Sequence, residues 1–288
     1  MKRDFAGLLR QMASPLLRPF ERPKSSIRAA YFHKAPSAQN ALDIFEGEWY
    51  TTVPDRLGAL HAGSIDLYRD PRLLWALNEF GPVEGKHVIE LGPLEGAHTY
   101  LLEHAGCASV HAIEGNPRAY LKCLVFKEIS GLQRAHFLCG DFVEYLRTGP
   151  PRTDLVVASG VLYHMTNPAE LLYLISRVSD CLFLWTHYYD AAVIAKRPDI
   201  ARRLTSQTTV EFKGFRHNLF RYEYWRSSGL KRFCGGPNSY AFWMERQAIL
   251  DCLRMFGFSS ITTNFDEPNH ADGPAFALLA RAGAPILT

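Results

Sequence analysis

Short apolar runs alternate with longer patterns of helical spacing through the middle of the chain. The apolar runs, which predict strands, cover residues 86–90, 109–113, 135–139, 154–159 and 181–185. Several helical patterns between and around them begin with a proline in the first turn, as at Pro71, Pro117 and Pro168. Because strands that alternate with helices need right-handed crossovers, the pattern predicts an α/β fold with a mostly parallel sheet and helices on both faces.

The first strand ends on an acid and passes through a glycine turn into a helix. Glu90 is followed by Gly92 and Gly96, and the helical pattern then runs to Gly106. Glycine permits positive φ and close approach of a ligand, while N–H groups at a helix start favour polar or anionic groups. The turn is neither the dinucleotide fingerprint nor a Walker loop. It nevertheless predicts a nucleotide-binding turn.

Polar residues follow the next three strands at the point where each strand ends. Glu114 closes the second strand, about twenty residues past the glycine turn, where an acid can accept hydrogen bonds from both ribose hydroxyls. Gly140 and Asp141 follow the third strand, and the segment from Gly160 to His164 follows the fourth. The carboxyl ends of parallel strands share one edge of the sheet, so these residues predict a single ligand-lined edge.

In order and spacing, these motifs resemble the class I S-adenosylmethionine-dependent methyltransferases over roughly residues 81–190 and the last fifty residues. The resemblance implies a Rossmann-like, doubly wound sheet of seven strands that ends in a hairpin (residues 261–265 and 275–280) with an antiparallel last strand. It also implies S-adenosylmethionine as cofactor, with Glu114 on the ribose and Asp141 near the adenine. The cofactor residues that it implies are Glu90, Gly92, Pro93, Gly96, Glu114, Gly115, Asp141, Phe142, Ser159, Gly160 and His164. Leu94 departs from the family pattern, since it stands where the family has the middle glycine of its loop.

The remaining segments predict additions to this core. Residues 1–65 are a predicted N-terminal extension or lid, with one amphipathic helix over 5–17. Residues 66–190 and 241–288 form the predicted core, with a helix over 242–256. In residues 191–240 basic and aromatic side chains interleave, and in a protein that resembles this family such an insertion predicts a substrate cap. The candidate substrate contacts are Trp49, Tyr163, Tyr189, Arg221, Trp225 and Tyr240, with simple packing as the alternative for the aromatic ones.

Two histidines lie where a methyl acceptor is expected. Methyl transfer from a sulfonium is an in-line displacement, so most of the catalytic gain is positional. A hydroxyl or protonated amine acceptor also needs a base, and histidine suits that task at neutral pH. His187 is the predicted base, His164 the residue beside the cofactor, and Asp190 is close enough in sequence to orient His187 or to touch substrate. The alternative is that either histidine only shapes the pocket, and no spacing supports a metal site.

Composition and charge narrow the class of protein only slightly. The chain has 288 residues, 47% of them hydrophobic, and a net charge of +3, which permits an anionic substrate without requiring nucleic acid. Its 6 cysteines form no C-x-x-C pair, and no apolar run approaches the roughly 18 residues that span a bilayer. Arginines interrupt any signal-peptide pattern near the first residue. We therefore expect a cytoplasmic protein without a membrane span; the oligomeric state is not indicated.

Three functions are compatible with these patterns. The first is transfer of a methyl group to an O or N atom of a small-molecule acceptor held by the aromatic and basic insertion. The second is (carboxy)methyl modification of RNA, because the segment from Gly160 to His164 followed by Pro168 is also similar to the tRNA wobble-uridine carboxymethyltransferases. The third is a non-catalytic protein that keeps the cofactor fold for binding. The polar strand ends, which a fold kept only for shape does not need, argue against the third.

Overall fold

The computed structural model describes residues 31–225 and 235–283. The predicted helix over 5–17 and residues 226–234 of the predicted substrate cap lie outside the described residues. Within the described ranges, the strands form one sheet of seven strands and a second sheet of three. None of the helices in these ranges is long and apolar enough to cross a membrane.

The seven-stranded sheet confirms the predicted Rossmann-like fold. Its strands are β1 (His87–Leu91), β2 (Ser109–Glu114), β3 (Ala135–Cys139), β4 (Leu155–Ser159), β5 (Cys181–His187), β9 (Phe258–Glu267) and β10 (Ala275–Ala282). Their order across the sheet is β3-β2-β1-β4-β5-β10-β9. Strands β1 to β5 are parallel, whereas β10 is antiparallel to both β5 and β9. The predicted antiparallel last strand is therefore also confirmed.

The helices that connect these strands begin where capping chemistry predicts. The α-helices of the described residues are α1 (Ala38–Asp43), α2 (Pro71–Phe80), α3 (Ala97–His104), α4 (Pro117–Ser130), α5 (Phe142–Arg147), α6 (Pro168–Val178), α7 (Ala191–Ile194), α8 (Pro198–Ala201) and α9 (Arg246–Met255). The side chains of Asp70, Asn116 and Asn167 accept hydrogen bonds from backbone N–H groups in the first turns of α2, α4 and α6. The predicted starts of these three helices are confirmed.

Helix layers bury both faces of the large sheet. On one face, Val156 and Leu184 pack in a cluster with Leu172 of α6 and Leu253 of α9. On the other face, Val157 and Phe183 pack with Leu73 of α2 and Leu102 of α3. Complete burial of each such side chain contributes roughly 1.5–3 kcal/mol. The sheet is thereby held firmly, which fixes the positions of its strand ends.

A second, antiparallel sheet forms in the region of the predicted insertion. Its strands are β6 (Leu204–Phe212), β7 (Phe215–Glu223) and β8 (Tyr240–Trp243), with β7 in the middle. The prediction that a helix begins at residue 242 is wrong, because residues 240–243 alternate in burial and pair with β7, and α9 begins only at residue 246. Backbone hydrogen bonds from Phe242 N to Met165 O (2.9 Å) and from Tyr189 N to Met244 O (2.8 Å) attach β8 to the ends of β4 and β5.

Candidate active site

The carboxyl ends of β1 and β4 form the crevice where the strand order reverses. The chain passes outward from β1 through β2 and β3 and returns to β4 on the other side of β1. The loops after β1 and β4 touch, since a Cβ atom at Gly92 would lie 2.8 Å from Cγ1 of Val161. In open α/β sheets, ligands bind outside the carboxyl ends of the strands at this crossing point. The glycine turn and the segment that begins at Gly160 both border this crevice.

The turn after β1 has left-handed backbone at three positions. Gly92, Leu94 and Gly96 have φ values of 65°, 58° and 85°. Pro93 is buried in the turn, and its carbonyl accepts a hydrogen bond from Gly96 N at 2.9 Å. A Cβ atom at Gly96 would lie 3.1 Å from the ring of Phe137, so the turn packs closely against β3. Leu94 therefore adopts a backbone conformation that a glycine adopts without strain.

Glu114 lies at the end of β2, beside this turn. Its buried carboxylate accepts hydrogen bonds from the backbone N–H groups of Leu94 (3.1 Å) and Asn116 (2.8 Å). Burial raises the pKa of Glu114, although these hydrogen bonds oppose the change. A carboxylate has about four lone-pair positions, which the backbone N–H groups of Leu94, Asn116 and Gly115 do not fill, so capacity for a ribose hydroxyl remains. Gly115 and Gly140 add no side chains at the adjacent strand ends, and these residues together fit an adenosyl group.

A buried network of acids and bases lies under the turn. Glu90, at 2% exposure, accepts a hydrogen bond from the hydroxyl of Thr99 in α3, and burial raises its pKa. Asp70 accepts hydrogen bonds from Nε2 of His98 (2.9 Å) and from two nitrogens of Arg72 (2.8 and 2.7 Å). Burial alone would raise the pKa of Asp70, but these hydrogen bonds lower it well below its usual range. The sequence predicts the helix cap at Asp70 but not its bond to His98.

Further predicted cofactor residues lie at the ends of β3 and β4, with those after β3 predicted near the adenine. Asp141 is the exposed N-cap of α5, and its carboxylate accepts a hydrogen bond from Val143 N at 2.7 Å. Phe142 packs against the apolar cluster of α6 and α9. Ser159 ends β4, and Gly160 follows with a φ of 79°. The side chains of Asp141 and Phe142 thus have structural partners of their own, whereas Gly160 borders the crevice.

His187 is the last residue of β5, although the sequence places it just after the strand. Its Nδ1 lies 3.0 Å from the carbonyl oxygen of Gly273 and 3.3 Å from that of Pro274, in the loop between β9 and β10. A carbonyl oxygen can only accept, so Nδ1 carries the proton and Nε2 of the neutral ring carries the lone pair. Burial, together with the neighbouring His270, lowers the pKa of His187 to about 4. This side chain is therefore neutral at physiological pH, and the lone pair of its Nε2 can accept a hydrogen bond or a proton.

His164 ends a short 3-10 turn (Leu162–His164) after β4. Its Nδ1 lies 2.5 Å from the hydroxyl of Tyr224, which follows β7. Burial, and then the proximity of His187, lower the pKa of His164 to about 3. The ring of Tyr163 contacts both imidazoles, with centroid distances of 4.1 Å to His164 and 4.5 Å to His187. The structure therefore brings these three predicted residues together from two adjacent strand ends.

Asp190 does not orient His187 as predicted. Its carboxylate caps α7 and accepts hydrogen bonds from Ala192 N (2.9 Å) and Val193 N (3.0 Å). The partners of His187 are the two backbone carbonyls of the β9–β10 loop, which no local pattern indicates. Among the residues that the structure describes, no group of three His, Cys, Asp or Glu side chains could hold a metal ion.

Trp49 packs in the core, which is the alternative to its predicted contact with substrate. Its side chain is buried among apolar residues, and its indole N–H donates to the carbonyl of Leu42 at 2.8 Å. The segment around Trp49 is attached to the glycine turn by Glu95, which accepts hydrogen bonds from the backbone N–H groups of Tyr50 and Thr51. This placement is that of a core residue, because the aromatic body finds apolar neighbours and its one donor is already paired.

The other predicted substrate contacts lie on the second sheet and beside it. Tyr189 stacks on Phe220 of β7, with ring centroids 3.4 Å apart. The guanidinium of Arg221 lies 3.8 Å from the ring centroid of Tyr240. Trp225 is exposed, and the guanidinium of Arg203 lies 5.5 Å from its ring centroid. These residues line the sheet that covers the ends of β4 and β5, and their contact with a substrate stays a prediction.

Aromatic side chains that the sequence does not single out surround His187. The rings of Trp185, Trp243 and His270 lie 5.2, 5.4 and 5.1 Å from the imidazole of His187 between centroids. Trp243 comes from β8 and His270 from the β9–β10 loop, so only the folded chain reveals them. Trp185 precedes the predicted base by two residues on the same strand, which is the one local signal available. The His187 cluster consists of Tyr163, His164, Trp185, His187, Trp243 and His270.

Comparisons with solved structures agree with this architecture. A crystal structure of the N-terminal domain of EvdMO1 in the presence of SAH (S-adenosylhomocysteine) and D-fucose is similar to 91% of this chain and to 100% of that domain, with a TM-score of 0.65 and 21% identity. A second structure of that domain, with SAH bound, covers 85% of this chain and 95% of its own, with a TM-score of 0.65 and 23% identity. A structure from Listeria monocytogenes, proposed to be an S-adenosylmethionine-dependent methyltransferase, covers 74% and 100% respectively, with a TM-score of 0.50 and 12% identity.

These likenesses concern the fold of the chain. The chain has the fold of the class I S-adenosylmethionine-dependent methyltransferases, as the sequence motifs predict. No family model matches the sequence, and no curated protein matches it either. Since fold alone does not define the reaction, the chemistry of the site depends on its own residues.

Proposed function

We propose that this protein is an S-adenosylmethionine-dependent methyltransferase that acts on an O or N atom of a small-molecule acceptor. The observation that carries the proposal is the crevice between β1 and β4, which has the buried carboxylate of Glu114 on one side and the His187 cluster on the other. The similarity of fold to a domain crystallised with SAH supports the choice of cofactor.

The residues of the chain have separate roles in this proposal. The cofactor, when bound, supplies an electrophilic methyl group on a sulfonium. Glu114 accepts hydrogen bonds from the ribose hydroxyls, and Gly92 and Gly160 allow the main chain to approach the cofactor closely. His187 receives the proton of the acceptor at Nε2, because its Nδ1–H is held by the carbonyl of Gly273. The fixed strand ends hold the reacting groups in line.

The surroundings of His187 favour a small acceptor. The second sheet covers the ends of β4 and β5, where β8 is attached by the hydrogen bonds of Phe242 and Tyr189. Such a cover suits an acceptor that can be enclosed among aromatic side chains. A protein of similar fold was crystallised in the presence of D-fucose, which makes a sugar a reasonable first acceptor to test.

The proposal is tested by binding and by product mass. Calorimetry should detect SAH binding to the purified protein. Incubation with S-adenosylmethionine and a panel of small molecules, D-fucose among them, should add the mass of one CH₂ group to an acceptor. Transfer RNA in a parallel reaction tests the RNA alternative. Absence of SAH binding would contradict the proposed cofactor, and methylation of transfer RNA alone would contradict the proposed acceptor class.

A further inference from the structure

Two buried indole N–H groups in the His187 cluster have no hydrogen-bond partner among the described residues. They are Nε1 of Trp185 and Nε1 of Trp243, whose side chains are 8% and 2% exposed. Trp49 provides the contrast, since its equally buried N–H donates to Leu42 O at 2.8 Å. Buried donors are almost always paired in folded proteins, so two unpaired donors in one cluster call for a physical reason.

Both indole side chains lie beside the proposed base. The rings of Trp185 and Trp243 contact the imidazole of His187, with Trp243 stacked at an interplanar angle of 14°. Trp243 also stacks on Tyr222 of β7, at 4.7 Å and 6°, so its position is fixed by stacking with both rings. Trp185 is fixed by the guanidinium of Arg72, 4.2 Å from its ring centroid. Unpaired donors that are held in place in this way can bind an acceptor atom of a ligand.

The other buried nitrogens that lack a partner are in different surroundings. Nε2 of His217 and Nε of Arg246 also have none among the described residues. The ring of His217 stacks on Phe215 of the second sheet, and Arg246 forms an ion pair with Asp266 at 2.9 Å. The guanidinium of Arg246 also lies 4.9 Å from the ring centroid of Phe276, which is outside the His187 cluster. Among the described residues, the unpaired donors whose rings contact His187 are those of Trp185 and Trp243.

Charges at this edge do not favour an ammonium group. The carboxylate of Asp70 is bound by Arg72 and His98, and that of Asp190 caps α7. Asp272, in the β9–β10 loop, is exposed, and its charge raises the pKa of His187 less than burial and His270 lower it. The groups around His187 are the indoles of Trp185 and Trp243, the rings of Tyr163, His164 and His270, and two backbone carbonyls that already accept from its Nδ1. Indole N–H donors bind oxygen atoms, whereas a buried ammonium needs acceptors or a carboxylate.

We propose that the indole N–H groups of Trp185 and Trp243 donate hydrogen bonds to oxygen atoms of the acceptor, which is a hydroxyl-bearing small molecule methylated on oxygen. This inference rests on the proposed methyltransferase function. In the transfer, the methyl C–S bond breaks and a C–O bond forms, the sulfur keeps the electron pair, and the hydroxyl proton passes to Nε2 of His187. The two tryptophans then favour a hydroxyl over a protonated amine, because an ammonium group cannot accept a hydrogen bond and leaves both buried donors unpaired.

Nuclear magnetic resonance of the indole groups tests this inference directly. The chain has 5 tryptophans, so ¹⁵N-labelled protein gives one indole signal for each, assigned with single Trp→Phe variants. The SAH-loaded protein is titrated with D-fucose, glycerol and benzyl alcohol, and with counterparts in which one hydroxyl is replaced by an amine. We expect hydroxyl compounds to move the signals of Trp185 and Trp243, while the signal of Trp49, whose donor is already paired, stays in place.

Three outcomes would overturn the inference. The first is movement of the two signals only by the amine counterparts, and the second is movement by none of the hydroxyl compounds. The third is a signal that moves with SAH alone and not with any acceptor, which would assign that indole to the cofactor. Failure of SAH to bind, by contrast, would show in calorimetry before any acceptor is added. Failure of SAH to bind would contradict the proposed function itself, so it can be told apart from failure of the inference about the two tryptophans.

A second measurement needs no acceptor. Tryptophan is replaced at one position by its benzothienyl analogue, in which sulfur stands in place of the indole N–H and the shape is nearly unchanged. At position 49 the thermal midpoint should fall, because the carbonyl of Leu42 loses its donor. At positions 185 and 243 the midpoint should stay the same or rise, because an unpaired donor is removed. A fall at 185 and 243 as large as at 49 would mean that these donors have protein partners, which would overturn the inference.

Discussion

Leu94 is a non-glycine residue whose backbone has the left-handed conformation that glycine normally occupies. Its φ of 58° is in the left-handed region, which costs a non-glycine residue about 1–2 kcal/mol. Two hydrogen bonds hold the backbone of Leu94 in this conformation: Leu94 N donates to Glu114, and the carbonyl of Leu94 accepts from Cys123. The strain is therefore located in the same turn that is proposed to hold the cofactor.

At position 94 a glycine variant should be more stable than an alanine variant, which is the reverse of the order expected within a helix. Leu94→Gly and Leu94→Ala lose nearly the same side chain, but only the glycine variant releases the strained φ. We expect Leu94→Gly to be more stable than Leu94→Ala by about 1 kcal/mol in urea unfolding. Leu121, exposed in α4, is the matched control, where alanine should be the more stable by about 1 kcal/mol. The same order at both positions would contradict the strain at Leu94.

Glu114 should contribute to cofactor affinity through its charge. Glu114→Gln keeps the shape and one acceptor oxygen but removes charge-assisted hydrogen bonds, each worth about 1.5–3 kcal/mol. We expect SAH to bind roughly 10- to 100-fold more weakly in calorimetry. Glu144→Gln, on the exposed face of α5, should leave the affinity unchanged. Unchanged affinity in the Glu114 variant would mean that the ribose lies elsewhere.

At the scale of elements, a buried ion pair joins the N-terminal segment to the glycine turn. Glu95, in the turn, accepts a hydrogen bond from Lys122 of α4 at 2.6 Å, and the two side chains are 0% and 7% exposed. Lys122 also donates to Glu48 O at 2.8 Å, and Glu95 binds the backbone N–H groups of Tyr50 and Thr51. One pair of charges therefore connects the turn, α4 and the segment that contains Trp49.

Removing one member of this pair should be costly. Glu95→Gln or Lys122→Met leaves the other charge buried without its partner, which costs about 3–5 kcal/mol. The double variant Glu95→Gln with Lys122→Met should cost less than the sum of the single variants in urea unfolding. Asp55→Asn is the control, because the Asp55–Arg69 pair is exposed and should contribute less than about 1 kcal/mol. Additive costs in the double variant would exclude coupling between Glu95 and Lys122.

Elements whose signals are local could be predicted from the sequence, and those that depend on distant partners could not. The helix cap at Asp70, the helix start at Pro117, and the order of strands and helices follow from neighbouring residues in the sequence. Strand β8 forms because residues 240–243 pair with β7 across a long connection, so the apolar run alone resembles the start of a helix. The pairing of Glu95 with Lys122 is likewise a contact across 27 positions that no periodicity indicates.

The same distinction applies to the site as a whole. Glycines and acids at strand ends follow from the topology, so Gly92, Glu114 and His187 could be placed on one edge before the structure was known. The second half of the site comes from β8 and from the β9–β10 loop. These segments provide Trp243, His270 and the carbonyls that hold His187. Their arrangement depends on how the second sheet packs on the first, and no single stretch of sequence contains that information.

For the molecule as a whole, the buried histidines predict how stability changes with pH. The pKa of His187 is lowered to about 4, mainly by burial, so the unfolded chain, with an ordinary pKa of about 6.5, binds a proton there first as the pH falls. Stability should therefore decrease from about pH 6.5 to about pH 4, with a contribution from His187 of about 1.4 kcal/mol per pH unit. Urea unfolding at several pH values measures this slope. His187→Gln should reduce it. An equal slope in the His187 variant and the original chain would show that the imidazole is already protonated in the folded protein, and it would remove His187 as the proposed base.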